Sequence, residues 1–135
     1  MCAELNVKPV ELGYVGGTII GSEKDVSILV IFPTEMNMDH YYICDKLCNI
    51  IRNYVDNVIR NGNDILVNGK KVSGSMTRQI GDSFVWAAQI SFADYTEYIS
   101  KICHKKARKE PSYINSDWLS KETLEREFIN WLQKK

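Results

Sequence analysis

Residues 63–75 read Asn-Asp-Ile-Leu-Val-Asn-Gly-Lys-Lys-Val-Ser-Gly-Ser, and the way this stretch folds sets the architecture around it. Residues 64–67 and 70–73 flank Asn68-Gly69, the dipeptide best suited to the positive φ angles of a type I′ turn. A tight β-hairpin is predicted. Side chains alternate across a strand, so Lys70 and Lys71 point to opposite faces and only one can turn inward from a one-sided sheet. An inward lysine needs an anionic partner. With Lys71 inward, its ammonium is a compact positive charge for a phosphate or carboxylate, and Asp64 at the head of the hairpin is placed to hold a magnesium ion. The competing reading is a solvated hairpin on which both lysines blunt an edge strand.

Outward from this hairpin the same signals recur. Residues 75–80 and 83–92, joined by Gly81-Asp82, read as a second hairpin. Upstream, residues 25–32 (DVSILVIF) form an apolar run that suggests a strand buried on both faces and ended by Pro33. From Met38 to Arg60 the residues Ile43, Leu47, Ile50, Ile51, Tyr54 and Val58 recur at helical spacing, with Asp39 as N-cap and Asn61-Gly62 as stop. Residues 10–12 read as a short strand and Gly16-Gly17 as a turn. Tyr95, Tyr98, Ile99 and Ile102 share one helical face, as do Leu124, Phe128, Trp131 and Leu132 after Ser120. This order predicts a single α+β domain over residues 1–135, with helices packed on a mostly antiparallel sheet.

Composition narrows the classes. A chain of 135 residues that is 44% apolar holds one core and one site, with no room for separate catalytic and substrate domains. Its 17 basic and 17 acidic side chains cancel, which argues against holding nucleic acid by bulk electrostatics. No apolar run reaches the ~18 residues of a membrane span. The first residues, Met1-Cys2-Ala3-Glu4-Leu5-Asn6, lack an apolar secretory core, so a cytoplasmic address is expected. Cys2, Cys44, Cys48 and Cys103 lack the density of a disulfide scaffold and are read as reduced thiols.

Three further features bear on chemistry. Gly13-Tyr14-Val15-Gly16-Gly17-Thr18 could let backbone N–H groups approach a phosphate or carboxylate, although the spacing alone equally describes a bulge or turn. His40, Cys44 and Cys48 stand at i, i+4 and i+8 on one helical face, the spacing of a metal or redox cluster or of half-buried cysteines packing as small hydrophobes. The basic run 104–109 (HKKARK) reads as a solvated helix end or as a surface for an acidic partner.

Taken together, the hairpin residues resemble the signature of the lipoate-protein ligase family, within the wider group of biotin and lipoate transferases: Asn63-Asp64, a turn, then Lys71-Val72-Ser73-Gly74-Ser75. Val15-Gly16-Gly17-Thr18-Ile19-Ile20 resembles the family's glycine loop, followed by an apolar strand and a long helix. The second hairpin, Phe92-Ala93-Asp94, a basic stretch and Ile114-Asn115-Ser116 keep the family's order. The resemblance implies a mixed, largely antiparallel sheet flanked by helices, and activation of lipoate or octanoate by ATP and magnesium to an acyl-adenylate, followed by transfer to a lysine of a carrier domain. It gives Lys71 the role of contacting the acyl carbonyl and α-phosphate oxygens, where a fixed ammonium offsets developing charge. Gly16, Gly17 and Thr18 would line the acyl-adenylate, Asp64 would sit near magnesium and phosphate, and Asn63, Ser73 and Gly74 would shape the pocket.

The departures from the family pattern are equally specific. Its basic pair before the glycine loop is here Leu12-Gly13 or Gly13-Tyr14, its first loop glycine is Val15, and the histidine after the loop is Gly21. Its later His-His-Gly motif reads Val85-Trp86-Ala87. The chain begins where the glycine-loop strand begins, without the strands and helix that build one wall of the family's acyl pocket, and loss of that wall would let water reach an adenylate. Two functions are therefore expected: a diverged binding or interaction module without full ligase activity, or a lipoyl or octanoyl ligase or transferase completed by a partner chain or a homodimer. A sheet edge left unpaired by the missing segment would favour self-association.

Overall fold

The computed structural model describes residues 23–36, 39–94 and 112–134. They form five strands, β1 (Val26–Pro33), β2 (Val58–Asn61), β3 (Asp64–Val67), β4 (Lys70–Ile80) and β5 (Ser83–Ile90), and two helices, α1 (His40–Arg52) and α2 (Lys121–Gln133). The strands lie in the order β1-β5-β4-β3-β2, and each pairs antiparallel with its neighbours. This is the expected α+β fold. The predicted strand over 10–12, the glycine loop 13–18, residues 95–103 of the predicted helix, Cys2, Cys103 and the basic run 104–109 lie outside the described residues.

Turn chemistry accounts for the register. Asn68 (φ 52°) and Gly69 (φ 79°) both take positive φ, as a type I′ turn requires, and close the β3–β4 hairpin. Gly81 at φ 57° closes β4 onto β5, and Gly62 at φ 61° closes β2 onto β3. The two predicted hairpins share one continuous 11-residue strand, β4. β4 lies between β3 and β5, but its pairing with β5 begins only at Ser73; at the hairpin end the Lys71 carbonyl instead accepts from the Ser112 N–H at 2.7 Å.

Helix α1 is shorter than its apolar period suggests. Asp39 caps it as expected, its carboxylate accepting from the Tyr41 N–H at 2.9 Å. The helix ends at Arg52, and Val58, which continues the helical spacing, instead opens β2. Between them Asn57 takes the left-handed φ of 59°, a conformation asparagine tolerates and a helix cannot continue through. The Arg52 guanidinium then donates to the Val58 carbonyl at 3.1 and 2.9 Å, pinning the chain reversal.

The core lies between the sheet and the two helices. Ile43, Leu47 and Ile51 of α1, Leu124 and Phe128 of α2, and Val26, Ile65, Trp86 and Ile90 of the sheet pack in one cluster, with Trp86 stacked on Phe128 at 6.2 Å between centroids. Strand β1 departs from the expectation of burial on both faces. It alternates: Val26 and Phe32 are buried, whereas Leu29 and Ile31 are 58% and 62% exposed. Its helix-side residues meet the core, and its other face carries apolar side chains that α1 and α2 do not cover. Among the described residues no helix is long and apolar enough to cross a membrane.

Candidate functional site

A β-bulge decides where Lys71 points. Asp64 pairs with Gly74 and Ile65 with Ser73, but the register then slips, so that Leu66 faces Lys71 and Val67 faces Lys70. One extra residue, Val72, is accommodated on β4. In an unbroken strand Lys71 and Ser73 would share a face and Gly74 would lie on the other. The bulge instead carries Lys71 to the side of Asp64 and Gly74, away from the helices, a re-aiming of a side chain that bulges commonly perform. Ser73 stays in the row of Ile65 and Ile90, which belong to the helix-side core, and is 4% exposed. The signature residues therefore divide between the two faces of the sheet.

On the face away from α1 and α2, Lys71 Nζ lies 3.3 Å from Asp64 Oδ1. Gly74 makes the approach possible, because a Cβ at that position would stand 3.1 Å from both Cε and Nζ of Lys71 and 3.4 Å from Asp64 Oδ1. The lysine side chain is 42% exposed and the carboxylate 19%. A pair this open stabilises the fold by roughly 0–1 kcal/mol, so it is not what holds the hairpin together. The ammonium keeps a side turned to solvent from which an anionic group can approach. In the same row across the sheet, Gln89 pairs with Gly74 and donates to Asp25 Oδ2 at 3.1 Å, while Asp25 Oδ1 accepts from the Phe92 N–H at 2.7 Å.

Asn63 precedes Asp64 and is held at three points. Its carbonyl accepts from the Ser75 N–H and from Ser75 Oγ, each at 3.0 Å. Its side-chain Oδ1 lies 2.5 Å from His40 Nε2, on the first turn of α1. Ser75 Oγ is also 3.0 Å from Cys44 Sγ. His40 and Cys44 thus meet the β2–β3 turn and strand β4 rather than each other. Cys48 accepts from Arg52 Nη2 at 3.4 Å. Both cysteines are buried free thiols, and burial pushes each above its ordinary value, with Ser75 partly opposing at Cys44 and Arg52 at Cys48. Low reactivity follows. Among the described residues no group of three or more His, Cys, Asp or Glu could hold a metal ion, so the i, i+4, i+8 spacing reflects packing.

Gly16, Gly17 and Thr18 lie outside the described residues. Of the other site residues read from the sequence, Lys71, Asp64 and Gly74 come together, Asn63 turns its side chain to His40 instead, and Ser73 faces the core. Gln89 was missed as a neighbour of the site, and His40 as the partner of Asn63. The i, i+4 spacing marked His40 only as a metal ligand, and no local signal marks the cross-strand position of Gln89.

No protein-family model matches the chain, and no curated protein matches it by sequence. Solved structures do. Lipoate-bound LipL1 of P. falciparum superposes with a TM-score of 0.78 at 22% identity, over 98% of this chain and 41% of that one. The fold is that of the lipoate and biotin protein ligases. An ATP-bound lipoate-protein ligase A matches with a TM-score of 0.76 at 13% identity, covering 98% of this chain and 60% of that one. The biotin-bound biotin protein ligase of Leishmania major matches with a TM-score of 0.63 at 18% identity, over 89% and 57%. The chain therefore spans between about two fifths and three fifths of the length of these ligases.

Proposed function

We propose that this lipoate-ligase-like domain binds an acyl-adenylate, or the acyl acid and nucleotide that form it, on the face of the sheet turned away from α1 and α2, with Lys71 as the charge that meets the carbonyl and phosphate oxygens. The observation that carries this reading is the Lys71–Asp64 pair above Gly74, 3.3 Å apart and open to solvent on the lysine side. Bound lipoate in one structural relative and bound ATP in another support the ligand class. Gly16, Gly17 and Thr18 would complete the site from the glycine loop, Asn63 and Asp64 would meet its polar end, and Ser73 would act from beneath by fixing β4. Asp64 supplies a single carboxylate. That donor set fits a magnesium ion whose remaining ligands are water and nucleotide phosphate, the usual arrangement for magnesium with nucleotides.

Binding without full ligase activity is favoured by one feature of β5. Where the family places His-His-Gly, this chain has Val85, Trp86 and Ala87; Val85 is 4% exposed and Trp86 is fully buried in the helix-side core, so these positions bring no imidazole to the site. Complete ligation, acyl-adenylate formation followed by transfer to a carrier-domain lysine, is the second reading, and the openness of Lys71 favours it. A bi-partite lipoate protein ligase with its E2 lipoyl domain from Thermoplasma acidophilum is among the similar structures, and a partner chain or a second copy completing this domain would follow that precedent. The thermal midpoint with octanoyl-sulfamoyl adenosine tests binding: ligand at 100-fold its Kd should add about 2.7 kcal/mol, and an unchanged midpoint at saturating analogue would refute the proposal. Mass spectrometry after incubation with ATP, magnesium and lipoate separates the two readings, since acyl-adenylate appears only if ligase chemistry survives.

A further inference from the structure

We infer that Ser112 is a positioning residue of the Lys71 site, its backbone N–H holding the Lys71 carbonyl so that the bulged strand keeps the ammonium turned toward Asp64. The inference rests on the proposed ligand site and brings to it a residue from a distant part of the chain. Strand β4 pairs with β5 only from Ser73 onward, so Lys71 and Val72, the two residues at the bulge, lie beyond the end of that ladder. A backbone carbonyl withdrawn from water without a partner opposes folding. Both carbonyls are met by donors outside β3. Val72 accepts from the Ser91 N–H at 2.8 Å, and Lys71 accepts from the Ser112 N–H at 2.7 Å.

Two observations tie this bond to the direction of the Lys71 side chain. The segment that supplies it is anchored independently: Ile114 is 2% exposed within the core cluster shared with α1 and α2, and its N–H donates to the Ser91 carbonyl at 2.8 Å. Ser112 therefore reaches Lys71 from a fixed base, and packing on the helix side holds a residue whose side chain lies on the other face. The lysine is also tightly seated. A Cβ at Gly74 would stand 3.1 Å from its Cε and Nζ, and Nζ lies 3.3 Å from Asp64 Oδ1. The Cα–Cβ direction of a strand residue follows its backbone, and at a bulge the ladder that fixes the backbone is locally broken, here between Ile65 and Leu66 of β3. The Ser112 N–H restores one hold. Without it the peptide group after Lys71 is free to rotate, and a small rotation there displaces a charge carried on a flexible four-carbon stem.

Calorimetric titration of octanoyl-sulfamoyl adenosine into the unaltered chain, Ser112→Ala and Ser112→Pro, with Ser112→Pro repeated in a Lys71→Ala background, tests the role. Ser112→Ala keeps the N–H and should bind within about 2-fold of the unaltered chain. Ser112→Pro lacks it and should bind about 5-fold more weakly, the scale of one backbone hydrogen bond. In the Lys71→Ala background the same change should add no more than about a 2-fold loss, because both substitutions act on one contact. A merely structural role gives the same loss with and without Lys71, and that result overturns the inference, as does equal affinity in Ser112→Pro and the unaltered chain. Where proline at 112 prevents folding, read by circular dichroism, an ester in place of the Pro111–Ser112 peptide bond removes only the N–H and carries the same expectations. Failure of the unaltered chain to bind the analogue overturns the proposed function and this inference with it, whereas binding that is insensitive to the N–H overturns the inference alone.

Discussion

Lys71 is set apart by what surrounds it. A surface lysine with a carboxylate beside it is common and weakly coupled; here the carboxylate is 19% exposed, the glycine beneath leaves no Cβ, and the ammonium keeps its outer side open. Lys71→Ala should therefore leave the thermal midpoint nearly unchanged, within the roughly 1 kcal/mol of an open ion pair, while removing most of the affinity for an acyl-adenylate analogue. Loss of folding in that variant, read by circular dichroism, would contradict the assignment. Gly74→Ala is subtler, since the added methyl meets the flexible end of Lys71 and pushes it by a few tenths of an ångström. Its expected signature is weaker analogue binding with stability retained, checked by titration and melting in parallel. The buried thiols make a pH prediction of definite sign. Both are raised above the ordinary value of 9.0 when folded, so above that pH the unfolded chain loses its protons first. Stability contributed by the neutral thiols is complete below pH 9.0 and is lost as pH rises through their folded values. Cys44→Ala/Cys48→Ala should flatten the alkaline limb of a stability-versus-pH curve; an unchanged limb would show that other groups set it.

At the scale of elements, the hairpins and helix starts were legible because each depends on a few neighbouring residues. Asn68-Gly69 and Gly81-Asp82 were read from turn chemistry and Asp39 from the capping rule; Ser120, read only as preceding the last helical face, turns out to cap it, its Oγ accepting from the Thr123 N–H at 3.1 Å. Ser120→Ala should cost about 1 kcal/mol, measurable by urea unfolding. What local pattern could not give was decided across the sheet. The spacing from Tyr54 to Val58 suits a helix, but Val58 pairs with Val67, and a strand partner outweighs a weak helical period. The bulge at Ile65/Leu66 is likewise invisible in sequence, and it alone places Lys71 and Gly74 on one face. Alternation correctly parted Lys70 from Lys71 but would have put Lys71 with Ser73.

The whole molecule is a sheet with two different faces. One is sealed by α1 and α2 around Trp86, Leu47 and Phe128, and Trp86→Ala there should cost about 3–5 kcal/mol, a loss large enough for a domain of this size to show as partial unfolding at 37 °C. The other carries the polar row Asp64, Gly74, Gln89 and Ser27, followed along the strands by Met76, Ala87 and Leu29. A charged end leading into an apolar floor suits an acyl group whose carboxyl is activated. The expectation of an α+β domain came from element order and the resemblance together, and the superpositions on lipoate and biotin ligases agree with it. The glycine loop lies outside the described residues, and the lysine hairpin carries the site. The central claim is that this hairpin holds an acyl-adenylate through Lys71. The most direct measurement is calorimetric titration of octanoyl-sulfamoyl adenosine into the unaltered chain and into Lys71→Ala. One molecule bound per site in the former and at least about 10-fold weaker binding in the latter are predicted, the loss of one charge-assisted contact; equal affinity in both chains, or no heat in either, would contradict the claim.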